Sequence, residues 1–241
     1  MFQNKEEMLE NTNVNYNITN RPVIISIEGN IGSGKSTLVQ ELKNSNLYPH
    51  SKVCFLLEPV DEWNKITENE ETIIEKYYKD QKAYAFQFQM MAYISRLKQI
   101  RDAIKENYDI IFTERSVLSD KNVFAKMLYD DKILSETEYA IYNQWHNEFI
   151  RDIPEPIIVY LKTDPEIALS RVIKRNRPGE NIPLEYLQKC SDYHNKWILN
   201  DSKNIVLDGN NKELNDWIYT IKNIIMDEFR SRLLSESLVN S

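Results

Sequence analysis

The sequence predicts an α/β protein in which a five-stranded parallel sheet is covered on both faces by helices. Short β-branched runs alternate with amphipathic helical stretches along the chain. The runs are apolar without alternation, as strands buried on both sides are. The composition agrees: 241 residues, 41% hydrophobic and 11% aromatic, suit one globular domain with a substantial core and exclude collagenous, low-complexity or wholly disordered chains.

Residues 1 to about 20 are rich in Asn with Glu6, Glu7 and Glu10, and read as a disordered tail rather than a secretory or transit peptide. After Pro22, Val23 to Ile27 forms a strand that ends just before a glycine, and a helix follows from Lys35. Val53 to Leu57 is a second strand closed by Pro59, and Glu70 to Tyr78 is helical. A long helix over 83–107 carries apolar residues at Phe86, Met90, Tyr93, Ile94, Leu97 and Ile104. Asp109 to Thr113 is the third strand, followed by helices at 119–128 and 136–150. Pro156 to Leu161 is the fourth strand, with Asp164 and Pro165 as cap and first residue of a helix to about Lys174. A helix over 183–199, a strand at 204–207 and a last helix from about Lys212 complete the domain, which spans 21–230 and leaves 231–241 as a C-terminal tail.

A net charge of −7 argues against a surface built for non-specific nucleic-acid or membrane binding. Two cysteines, Cys54 and Cys190, supply neither a disulfide framework nor a zinc site and suit a reducing, cytoplasmic setting. No apolar run reaches the roughly 18 residues of a membrane-spanning helix.

Three of only five glycines lie at Gly29, Gly32 and Gly34. They belong to EGNIGSGKST, Glu28 to Thr37, which matches a P-loop between strand and helix. Gly29, Asn30, Ile31, Gly32, Ser33, Gly34, Lys35, Ser36 and Thr37 form the expected cradle. Its backbone N–H groups turn inward around phosphate, the helix N-terminus adds positive potential, Lys35 reaches the outer phosphates and Ser36 serves a magnesium ion. The loop identifies a phosphate donor and leaves the acceptor open.

The acceptor has to be sought among carboxylates and arginines at the carboxyl ends of strands. Glu58 ends the second strand before Pro59, and Glu114-Arg115 follows the third. A carboxylate at Glu58 could take a proton from an acceptor hydroxyl, with Arg115 keeping it ionised. Arg171 and Arg175 are i,i+4 neighbours that repel unless an anion lies between them. With Lys174 and Arg177 they read as an arginine-rich lid over about 171–182 that closes on a triphosphate.

Together EGNIGSGKST, EPVDEW (58–63), FQMMAYISR (88–96), ERSVLSD (114–120), ETEYAIYNQWH (136–146) and RVIKRNRPGENIPLEYL (171–187) resemble the deoxyribonucleoside kinase family, particularly its deoxycytidine and deoxyguanosine kinases. The resemblance runs from 23 to about 208 and implies a three-layer P-loop fold. It further implies transfer of a phosphoryl group from ATP or another nucleoside triphosphate to the 5′-hydroxyl of a deoxynucleoside. On these residues it implies Glu58 as general base with Arg115 beside it, and Ser36 and Glu114 at the magnesium site. Tyr78 and Glu180 would bind the sugar 3′-hydroxyl. Phe88 and Phe124 would enclose the base, with Val60 and Trp63 shaping the pocket, and Gln89, Arg96 and Asp120 would read the base edge. Asp208, in the Asp208-Gly209-Asn210 turn, would border the donor's adenine. An acceptor at Asp120 suits bases that present an amino group, so deoxycytidine or a deoxypurine is expected in preference to thymidine. The resemblance also implies a homodimer through helices 83–107 and 136–150. Tyr77 departs from the smaller or more flexible residue usual there, and the lid is one residue short with Pro178-Gly179 in it. A deoxynucleoside monophosphate kinase on a related fold and a non-catalytic assembly subunit are the competing readings. The sequence leaves the preferred nucleoside, and ATP against UTP, open.

Overall fold

The structure, a computed structural model, describes residues 21–177, 180, 182–211 and 213–239. The tail expected over 1–20, and Pro178, Gly179 and Asn181 of the lid, lie outside the described residues.

The chain begins with β1 (Val23–Glu28), α1 (Lys35–Asn44), β2 (Val53–Leu56) and α2 (Val60–Trp63). A two-stranded hairpin, β3 (Thr67–Glu68) and β4 (Glu71–Thr72), leads into α3 (Ile73–Lys79) and the long α4 (Gln81–Lys105). After β5 (Ile110–Glu114) come α5 (Val117–Ser119), a π-helical segment Asp120–Ala125, α6 (Lys126–Asp130) and α7 (Glu136–Phe149). The chain finishes with β6 (Ile157–Lys162), α8 (Pro165–Arg175), α9 (Leu184–Ile198), β7 (Ile205–Asp208) and α10 (Leu214–Val239).

The main sheet has the order β2-β5-β1-β6-β7, and every pairing in it is parallel. β1 is the central strand and is buried along its whole length. Its alternate side chains supply two different cores. Val23, Ile25 and Ile27 pack with Leu38, Val39 and Leu42 of α1 and with Trp217, Ile221 and Ile225 of α10. Ile24 packs on the opposite face with Ile100 and Ala103 of α4. These are the three layers the sequence pattern predicts. A further cluster between helices, centred on Tyr93, Leu97, Tyr142 and Leu128, anchors α4 against α6 and α7.

Several local features differ from the sequence reading. The start of the helix expected at Glu70 is instead the hairpin, and α3 begins only after Thr72, whose hydroxyl accepts from the Glu75 N–H in a capping box. The helix expected over 119–128 is interrupted by its π-helical turn. Asp164 occupies the N-cap position of α8, yet its carboxylate accepts from the Asn210 side-chain amide rather than from the helix backbone. The stretch after 230 assigned to a tail is helical through Val239.

The loop after β1 is fixed by close packing against α8. Gly32 has φ +78°, and a Cβ there would meet the Ala168 carbonyl oxygen and lie 2.9 Å from a Val172 methyl. Gly32→Ala is therefore expected to lower stability by about 2–5 kcal/mol, from left-handed strain and overpacking together. Urea denaturation checks this, and a variant as stable as the parent would contradict the packing.

Candidate active site

The loops that follow β1 and β2 and the carboxyl end of β5 open onto a cavity of about 470 Å³. It is lined at one end by residues 31–37 of the loop, and at the other by Val60, Trp63, Phe88 and Phe124. Glu58, Glu114, Arg115, Arg96 and Asp120 lie between those ends in the lining. This is where a doubly wound sheet places ligands.

Lys35, at the start of α1, folds back so that its ammonium donates to the Asn30 carbonyl at 2.7 Å. Burial, reinforced by repulsion from Arg115, pushes this ammonium down to about 7, against the pull of Glu114, Glu58 and Glu28. A group so poorly solvated is well placed to gain from a polyanion. Ser36 donates its hydroxyl to the Glu114 carboxylate at 2.7 Å, joining α1 to the end of β5. Asn30 is turned away from the cavity and donates to the Leu187 carbonyl of α9 at 2.7 Å. Gly29 does not line the cavity either, and a Cβ there would sit 2.7 Å from the Leu161 carbonyl oxygen.

The centre of the site is a network of buried charges. Arg96 of α4 donates through Nη2 to Glu58 at 2.7 Å and through Nε to both Asp120 oxygens at 3.1 and 3.2 Å. Arg115 approaches Glu58 less closely, its Nε 3.6 Å away. Burial alone would raise the Glu58 carboxyl, but Arg96, Arg115 and Lys35 outweigh it and hold the group at about 2. Asp120 is pushed up to about 6 by burial, despite Arg96. The π-helical turn carries Asp120 and Phe124, and Arg115 itself has φ +64°, an uncommon conformation for a non-glycine residue. Glu28, unremarked in the sequence, accepts the hydroxyls of Ser26 and Ser116 at 2.7 and 2.6 Å and so fixes the turn after Arg115.

The apolar end is built from aromatic rings. Tyr77 stacks on Phe88 with centroids 4.5 Å apart, and Trp63 meets Phe88 edge-on at 5.6 Å. Among these rings two polar atoms are buried without partners, Gln89 Oε1 and Arg96 Nη1. Such atoms are costly unless a ligand or water satisfies them. Tyr78 and Glu180 both line the cavity, as does Tyr186, which the sequence reading passed over.

The residues expected to form a lid divide into two groups. Arg171 donates through Nη1 to the Ser33 carbonyl at 3.0 Å and the Gly209 carbonyl at 2.9 Å, tying the phosphate loop to the end of β7. Arg175 donates to the Glu180 carboxylate at 2.5 Å, while Arg171 is occupied by backbone carbonyls. Lys174 and Arg177 also line the cavity. Asp208, expected to border the donor base, is turned into its own loop. It accepts from the Asn210 N–H at 2.9 Å and the Asn211 amide at 2.7 Å and does not line the cavity. Leu214 and Trp217 of α10 line the cavity instead. Nothing in the sequence marked them, since Trp217 also belongs to the α1–α10 core.

The deoxynucleoside kinase family model matches residues 25–233. The chain belongs to the deoxynucleoside kinase family. It is 39% identical over 178 residues to a probable deoxycytidine kinase of fowlpox virus, covering 72% of this chain and 71% of that one. It is 36% identical to human deoxycytidine kinase over 197 residues, 73% of this chain and 75% of that one. Mitochondrial deoxyguanosine kinase of Xenopus laevis is 32% identical over 208 residues, 78% and 77% of the two chains. The match takes in every strand of the kinase's main sheet except the first two residues of β1.

The charge network gives this kinase a pH signature. Glu58 titrates from the ordinary 4.5 down to about 2 on folding. Its stabilising contribution is thus complete above about pH 5 and lost as pH falls toward 2. Glu58→Gln should flatten this part of the acid limb, read as a smaller loss of unfolding free energy between pH 5 and 3 in urea titrations. An unchanged acid limb would contradict the pairing.

Proposed function

We propose that this kinase transfers the terminal phosphate of a nucleoside triphosphate to the 5′-hydroxyl of a deoxyribonucleoside, deoxycytidine or a deoxypurine rather than thymidine. The observation that carries the base preference is the polar set at the aromatic end of the cavity. Asp120 supplies an acceptor, and Gln89 and Arg96, each with one buried unpartnered polar atom, line the same cavity. An exocyclic amino group with an adjacent ring acceptor satisfies these atoms, whereas a carbonyl facing Asp120 does not. The similarity to deoxycytidine and deoxyguanosine kinases supports the same choice.

Glu58 is ionised at neutral pH and would accept the proton of the 5′-hydroxyl, while Arg115 steadies the same end. Tyr78 and Glu180 would hold the sugar. Lys35, the loop N–H groups and the cationic lid residues would bind the donor phosphates. The Ser36 hydroxyl and Glu114 carboxylate form an oxygen-only pair at the phosphate loop, which fits magnesium, an ion that keeps water and phosphate oxygens among its ligands. Bound there, magnesium would neutralise charge on the donor phosphates. A monophosphate acceptor is disfavoured because Arg96 and Arg115 already face the Glu58 carboxylate. Ile94, Ile141 and Trp145 are exposed on α4 and α7, which supports a homodimer through these helices. Among the described residues no helix is long and apolar enough to cross a membrane, and cytoplasmic placement is part of the same proposal.

Competition among the four deoxynucleosides with ATP and magnesium tests the reading; absence of any monophosphate product would overturn it. Glu58→Gln is expected to lower kcat by about 10²–10⁴-fold with a much smaller effect on nucleoside KM. Because Arg96 also holds Glu58, Arg96→Met with Asp120→Ala should lose overall rate. Its ratio of kcat/KM for thymidine over deoxycytidine should nevertheless rise, and an unchanged ratio would remove these residues from base selection.

A further inference from the structure

His194 of α9 is completely buried behind the site, 79 residues along the chain from Arg115. Its Nδ1 lies 2.6 Å from the Cys190 carbonyl oxygen, and its Nε2 lies 3.4 Å from Arg115 Nη1. The two neighbours determine the tautomer. A carbonyl oxygen can only accept, so Nδ1 carries the hydrogen; a guanidinium can only donate, so Nε2 presents its lone pair. A second proton on the ring would point an N–H at a cation. Burial, with Arg115 adding to it, pushes the imidazole down to about 3, so the ring is neutral across the working range of pH.

The ring is held on its other sides as well. Tyr160 of β6 stacks parallel to it with centroids 5.8 Å apart and planes 3° from parallel, and Phe124 meets it edge-on at 6.2 Å. Phe124 in turn lies under the Arg115 guanidinium at 4.8 Å. The guanidinium is therefore bounded by the Phe124 face, the His194 lone pair and the Glu58 carboxylate. Arg115 is the one member of this group on a left-handed backbone, which its N–H fixes by donating to the Ile27 carbonyl at 3.0 Å. Arg96, by contrast, is directed by two carboxylates.

We propose that His194 is a positioning residue, whose neutral Nε2 accepts a hydrogen bond from Arg115 and fixes the guanidinium beside Glu58 for phosphoryl transfer. This rests on the reading above that Glu58 and Arg115 act at the 5′-hydroxyl. It adds α9, the helix that follows the lid, to the elements that set the reacting geometry.

The test compares His194→Phe, which keeps a ring against Tyr160 without an acceptor, His194→Met, which fills the space flexibly, and His194→Gln, whose side-chain carbonyl can restore the acceptor. Steady-state kinetics with the best deoxynucleoside and thermal melting are measured on the full chain. The Phe and Met variants are expected to lose about 10–100-fold in kcat, as for a lost hydrogen bond to a charged group, with nucleoside KM changed less than about threefold. The Gln variant should stay within about threefold of the parent. In an Arg115→Ala background His194→Phe should have little further effect, because the partner is already gone. Parent-like kcat in whichever of the Phe and Met variants folds, a Gln variant as impaired as they are, or full additivity with Arg115→Ala would each overturn the role. If Glu58→Gln and Arg115→Ala are impaired while His194→Phe is not, only this inference fails. If none of the three is impaired, the reading of the reaction fails with it.

Discussion

The fold converges on one salt-bridged guanidinium. Arg96 stands between Glu58, which follows β2, and Asp120, which opens the π-helical turn after β5, and it is itself presented by α4. Three charged side chains from three separate segments meet there, Arg96 and Asp120 almost wholly buried and Glu58 partly open to the cavity. Each ion loses hydration on burial, and removing Arg96 would leave the buried Asp120 without its cation at a cost of several kcal/mol. The strand ends, α4 and the π-helical turn must therefore keep their relative positions for the network to be satisfied at all. Arg96 also lies 5.3 Å above the Trp63 ring, so the aromatic end of the cavity is referenced to the same group. A constraint of this kind couples the base-facing wall to the carboxylate that faces the phosphate loop.

How much of this was legible in the sequence depended on whether the signal was local. The strands and the phosphate loop were readable because β-branched runs and clustered glycines have few other uses. The hairpin at Thr67–Thr72 was not, since two-residue strands leave no periodicity. The π-helical turn left none either, because one wider turn between two short helical stretches leaves no hydrophobic period. Asp164 looked like a cap by type and position, yet a longer-range partner, Asn210, takes its carboxylate. The Asp208 carboxylate is likewise taken by neighbours its own turn supplies, Asn210 and Asn211, which residue type alone does not indicate.

The candidate site shows the same division. Glu58, Glu114 and Arg115 could be picked out because they end strands of a parallel sheet. That Arg96 rather than Arg115 makes the shorter contact with Glu58 could not be, because helical spacing along α4 indicates a face and not a partner. His194 illustrates the limit further. A histidine on the buried face of a helix has the sequence signature of an ordinary core residue, and only the positions of Cys190 and Arg115 assign its two nitrogens different tasks.

The network also bears on what kind of base Glu58 would be in the proposed reaction. Two arginines and a lysine hold its carboxyl at about 2, which makes it a weak proton acceptor by equilibrium measures. In a reaction that required full deprotonation before attack, that would be a handicap. Phosphoryl transfer through a loose transition state forms little bond to the incoming oxygen early on, so the proton leaves late, when the hydroxyl has itself become strongly acidic. What the carboxylate must then supply is a fixed acceptor in the right direction, ionised in every molecule. The surrounding cations secure both, at some sacrifice of basicity, and the same guanidinium groups reduce the repulsion between Glu58 and a polyphosphate approaching from the loop.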